Sequence, residues 1–80
     1  MHRFLTSTVI ACLTRQDIEL LIGDLKSPSN SITLEHAWAG STDGKLLCLF
    51  AATDRAALEA FLKAKRVHTE WSVLVDMEFD

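Results

Sequence analysis

The chain is short of the residues that mark several whole classes of protein. It has one proline and three glycines in 80 residues, far from the periodic glycine of a collagen-like chain. Its two cysteines, Cys12 and Cys48, are too few for a disulfide framework. That scarcity points to a cytoplasmic setting with both thiols reduced. No stretch approaches the roughly 18 consecutive apolar residues of a membrane span. The opening run, Met1 to Ile10, sets one Arg before apolar residues as a signal peptide does. Thr6, Ser7 and Thr8 interrupt it, so it reads as a first strand. Positive charge is scarce too. Eight Lys and Arg against eleven Asp and Glu give −3; the first forty residues contribute 3 − 4 = −1 and the last forty 5 − 7 = −2. Neither half is basic, so the electrostatic footprint of a nucleic-acid binder is missing. Also absent are the metal spacings CxxC, HxxxH and HExxH, a glycine-rich phosphate loop, and a serine placed next to a base as a nucleophile.

What is present is an ordinary globular composition, 49% hydrophobic and 24% charged, in an amount that suits one domain over residues 1–80 and excludes a disordered tail. Six elements can be read from it. Residues 3–11, rich in Thr, Val, Ile and Phe, read as a strand. Thr14 and Asp17 form an Asp version of a capping box. Ile18, Leu21, Ile22 and Leu25 follow as one stripe of an amphipathic helix, which Ser27, Pro28, Ser29, Asn30 and Ser31 stop. Ile32–Ala39 is a second strand, with Ile32, Leu34, His36 and Trp38 on one face and Thr33, Glu35, Ala37 and Ala39 on the other. Asp43-Gly44 marks a hairpin turn. Lys45–Ala52 is nearly all apolar, as a central strand covered on both sides would be. Thr53 or Asp54 caps a second helix carrying Ala57, Leu58, Phe61 and Leu62, with a Glu59–Lys63 pair at i, i+4. Trp71, Val73, Val75, Met77 and Phe79 alternate with Ser72, Leu74, Asp76 and Glu78, the cleanest strand pattern in the chain.

The order β-α-β-β-α-β predicts an α+β fold: a ferredoxin-like sandwich, with a four-stranded antiparallel sheet, both helices on one face, and the first and third strands central. Two helices cover only one face of such a sheet. The third strand offers Leu47, Leu49 and Ala51 on one side and Leu46, Cys48, Phe50 and Ala52 on the other. The first strand offers Phe4 and Ile10 against Leu5 and Val9. Monomers rarely expose apolar patches beyond a few hundred Å². The open face is therefore expected to pack against a second copy as a homodimer, in the dimeric α/β-barrel arrangement.

The ligand-type residues are few. His36 lies mid-strand among apolar neighbours. It reads either as a buried or interface histidine with one hydrogen bond, or as a ligand or proton-transfer group in a dimer cavity. Cys48 reads as a small buried hydrophobe or as a metal ligand. Whether Cys12 and Cys48 pair is left open by the sequence. His68 reads as solvated and His2 as incidental. Asp76 and Glu78 suit the guarding of an edge strand, and Trp38 and Trp71 read as apolar anchors of a core or interface. No residue presents itself as catalytic.

Leu34-Glu35-His36-Ala37-Trp38, a turn with Asp43, then Lys45 and Leu47-Cys48-Leu49-Phe50-Ala51-Ala52-Thr53-Asp54, together resemble a group of small uncharacterised bacterial proteins that includes nickel-binding ferredoxin-like members. Met1-His2-Arg3-Phe4-Leu5 and the stretch from Thr69-Glu70 to Val75-Asp76 are similar to that family's opening and last strand. The resemblance implies a ferredoxin-like homodimer and nickel or another transition metal as cofactor, with His36 and Cys48 at the matching positions. The chain departs from the family pattern at Phe61, where a histidine is usual, and at Lys65-Arg66-Val67-His68, where a Gly/Pro-containing stretch is usual.

Three functions follow in order of expectation. The first is non-catalytic binding of a metal ion or small ligand at the sheet or dimer interface. The second is a structural or protein-interaction module without a ligand. The third is a small dimeric α/β-barrel enzyme using His36 as base. Neither nucleic acid nor membrane is an expected partner.

Overall fold

The computed structural model describes residues 1–27 and 31–79, in six elements: β1 (His2–Val9), α1 (Arg15–Leu25), β2 (Ile32–Gly40), β3 (Lys45–Ala52), α2 (Arg55–Ala64) and β4 (Trp71–Val75). They build an α+β domain whose four strands form one antiparallel sheet in the order β2-β3-β1-β4. The strands expected to be central, β1 and β3, are central. None of the described helices is long and apolar enough to cross a membrane.

The helices start where their caps say. The Thr14 hydroxyl accepts the Asp17 amide at 3.1 Å, and the Asp17 carboxylate accepts the Thr14 amide at 3.1 Å, closing the capping box. On α2 the cap is Asp54 rather than Thr53, its carboxylate accepting the Ala57 amide at 2.7 Å. Helix α1 ends at Leu25 with Lys26 as its C-cap; of the serine- and proline-rich stop expected there, residues 28–30 lie outside the described residues. The Glu59–Lys63 pair is not formed; Lys65 instead reaches Asp24 of α1 at 3.3 Å, tying the two helices together. Helix α2 closes in a Schellman motif: the Val67 amide donates to the Leu62 carbonyl at 2.9 Å and the Arg66 amide to that of Lys63 at 3.0 Å. Arg66 adopts φ +60° there, a left-handed conformation usually left to glycine.

Both helices press on the same face. Ile18, Leu21, Ile22 and Leu25 from α1, and Ala57, Leu58, Phe61 and Leu62 from α2, pack on Phe4, Leu46, Cys48, Phe50 and Ala52. Phe50, Ala52 and Leu58 are fully shielded from water. Thr6 also faces this core and satisfies its hydroxyl on the Cys48 carbonyl at 3.4 Å. Strand β1 stops at Val9, two residues short of the expected end. Ile10 turns into the core and donates its amide to the Gly44 carbonyl at 2.8 Å. The Asp43-Gly44 turn needs its glycine twice over: φ is +67°, and a Cβ would stand 3.0 Å from that of Ala11.

Two further strands differ from the sequence reading. In β2, Leu34 pairs with Phe50 but His36 pairs with Leu49, so Glu35 is an inserted bulge residue. The bulge flips the alternation. Ile32 and Leu34 face the helices, whereas His36 and Trp38, expected on the same side as these two, face away. Strand β4 is paired only as far as Val75, opposite Arg3. Residues 76–79, expected to continue it, run on without a sheet partner among the described residues. Asp76 and Glu78 therefore lie past the edge strand they were expected to guard, and Glu78 reaches Arg3 at 3.6 Å.

Candidate functional site

The uncovered face of the sheet can be read row by row from the register. Across β2-β3-β1-β4 one row is Trp38–Leu47–Ser7–Trp71, the next is His36–Leu49–Leu5–Val73, and the third is Thr33–Ala51–Arg3–Val75. The first row has an indole at each outer strand and a small hydroxyl near its centre. Three inter-strand spacings separate the two tryptophans, about 14 Å. Both remain about half exposed, 51% for Trp38 and 43% for Trp71. Ser7 between them is 2% exposed.

A cleft of about 490 Å³ lies over this row, within the size range of small-molecule sites. Trp38 and Trp71 wall it and Leu47 and Ser7 form its floor; one end is polar, with Lys45, Glu70 and Asp43. The polar end is a built network. The Lys45 ammonium donates to both Glu70 oxygens at 2.6 and 2.7 Å. The Ser7 hydroxyl donates to the same carboxylate at 3.0 Å, and the Glu70 amide donates to the Ser7 carbonyl at 2.7 Å. The Lys45 hydrogen bond first, and that of Ser7 second, hold the Glu70 carboxyl below the usual carboxylate range.

Of the residues singled out from sequence, the structure does not bring His36 and Cys48 together. His36 is exposed on the open face and stacks on Trp38, ring centroids 5.6 Å apart. Cys48 is 2% exposed and turned into the helix-side core; burial pushes its thiol up to about 11, so the thiolate a metal would need is disfavoured. Cys12 is a separate, exposed free thiol. Among the described residues no three His, Cys, Asp or Glu side chains gather as metal ligands. The residues present do not fit the nickel or other transition metal that the resemblance implies. His68 is exposed, as expected, and lines a larger groove of about 760 Å³ between α1 and residues 66–70. Two acidic groups there, Asp24 and Glu70, are already held by Lys65 and Lys45.

Sequence reasoning found the two tryptophans but not the network beside them. Lys45 and Glu70 are 25 residues apart and meet only because β1 carries Ser7 between β3 and β4. Comparison with family models, with curated proteins and with solved structures finds no match for this chain.

Proposed function

We propose that the chain is a ferredoxin-like domain that works as a homodimer, the open sheet face of one copy closed by that of a second, and that it binds a small ligand between the copies without catalysing a reaction. The observation that carries this reading is the apolar open face itself. Trp38, Trp71, Val73 and Val9 stand 43–53% exposed on it, around the partly and fully buried Leu5, Leu47 and Leu49. Four strands about 4.8 Å apart and three rows about 6.8 Å apart give a face on the order of 400 Å². Two such faces would bury on the order of 800 Å², short of the threshold for a specific interface. Met77 and Phe79, 70% and 85% exposed just beyond β4, offer further apolar surface that a second copy could bury.

The binding reading is favoured over a catalytic one because the hydroxyl that meets a carboxylate in the cleft, Ser7, is buried, and Lys45 holds that carboxylate in its charged form as a weak base. The Ser7 hydroxyl is committed to Glu70, and His36 stacks on the outer wall rather than lining the cleft. The test is sedimentation across a concentration series. The expected result is a particle of twice the 8.9 kDa chain mass that falls to one copy when Val73→Asp places a charge at a half-exposed apolar position of the face. A single-copy particle at every concentration overturns the reading.

A further inference from the structure

We propose that the cleft between Trp38 and Trp71 selects a flat organic cation. The inference rests on the binding-module reading and names the ligand class it would take. Three observations converge on it. The first is the pair of walls: two half-exposed indoles on the outer strands offer the electron-rich faces that attract cations most strongly among aromatic side chains. With the indoles at the two ends of one row, about 14 Å apart, a flat ring has room to lie against one of them over the Leu47 floor.

The second observation is the charge count at the polar end. The charged lining residues are Lys45, Glu70 and Asp43, one positive against two negative. Lys45 and Glu70 neutralise each other through two short hydrogen bonds. Asp43 makes no ion pair among the described residues, so the cleft keeps one uncompensated negative charge. An anion would meet that charge and the negative faces of the indoles together. The third observation is the floor. Leu47 is apolar and Ser7 has its hydroxyl turned to Glu70, so the base of the cleft asks for a ring and not for a polar chain.

The probes are three rings of one size and three charges: 1-methylnicotinamide (cation), nicotinamide (neutral) and nicotinate (anion). The chain has two tryptophans, so its two indole N–H resonances report the cleft directly in a titration. The cation is expected to bind about tenfold more tightly than the neutral ring, as an indole–cation contact provides, and the anion more weakly than either. Trp38→Leu keeps apolar bulk and removes one π face, so the cation-to-neutral ratio should fall several-fold, leaving the part that Trp71 and Asp43 supply. Asp43→Asn should lower cation affinity several-fold with no change in the indole spectrum of the free protein. Equal binding of all three rings, or tightest binding of nicotinate, overturns the proposal. A dimer that binds none of them also overturns it and leaves the paired-face reading standing. Cation binding by a single-copy particle supports the cleft and overturns the pairing instead.

Discussion

Leu46 and Leu47 are neighbours of one residue type on one strand, and they live in different environments. Leu46 faces the helices and is 1% exposed; Leu47 faces the other way, onto the floor of the Trp38–Trp71 cleft, and is only partly buried. The same contrast runs through the whole sheet. On the helix side Phe50, Ala52 and Leu58 are fully covered within one copy. On the open side Leu5, Leu47, Leu49 and the tryptophans share the face with Arg3, Ser7, Thr33 and His36, and Trp38, Trp71 and Val73 stand about half in water. What differs most is whether the copy itself supplies a cover.

The sharpest way to break this comparison is to truncate each leucine in turn. Leu46→Ala should cost about 3 kcal/mol, the lost transfer energy plus an unfilled cavity, and the cost should be the same at every protein concentration. Leu47→Ala should cost about 1 kcal/mol in dilute solution, with a larger loss where copies associate, because what binds the folded state adds to its stability by mass action. Urea melts at two concentrations a hundredfold apart read both. Equal, concentration-independent costs would mean that the open face is sealed within a single copy.

The helix side was legible in the sequence and the open side only in part. Capping residues, the stripes of α1 and α2 and the alternation of β3 all act over a few residues, so the local pattern carried them. The β2 bulge is different. Nothing around Glu35 signals an inserted residue. The Leu34/His36 shift is set by how β2 docks on β3, with Leu34 held against Phe50 and Trp38 left on the far side. A one-residue slip of this kind moves every later side chain to the other face, which is why His36 and Trp38 were grouped with Ile32 and Leu34. β4 is shorter than its alternation implies for a related reason: alternation continues to Phe79, but pairing needs a neighbour, and the last β1 residue opposite β4 is Arg3. The Ser7–Glu70–Lys45 network depends on three strands at once and leaves no local trace.

A smaller effect tests the helix side alone. Arg66 holds a left-handed conformation at φ +60° to end α2. Such a conformation costs a non-glycine residue about 1 kcal/mol or more, and glycine gives part of that back as unfolded-state entropy. Arg66→Gly should therefore raise stability by about 0.5 kcal/mol in a denaturant melt. The gain should be the same at high and low protein concentration, because the Schellman turn lies wholly within one copy. A gain that appears only when copies associate would move residues 65–68 onto the interface.

The smallest effect belongs to the open side and depends on pH. The folded Glu70 carboxyl lies below its ordinary value because Lys45 and Ser7 donate to the charged form, so the folded state binds the proton less readily than the unfolded chain. The contribution is fully present above the ordinary carboxylate value of about 4.3. It is lost as pH falls through the lower folded value, when the protonated carboxyl gives up its bond from Lys45. The pair is solvent-exposed and screened in one copy, so in dilute solution Glu70→Gln should flatten the acid limb of a Tm-against-pH curve only slightly. Where two copies cover the cleft, the same pair loses its water and the mutation should flatten that limb more. An acid limb with the same Glu70 dependence at both concentrations would leave Lys45 and Glu70 in water in every state of the protein, and the cleft outside any paired face.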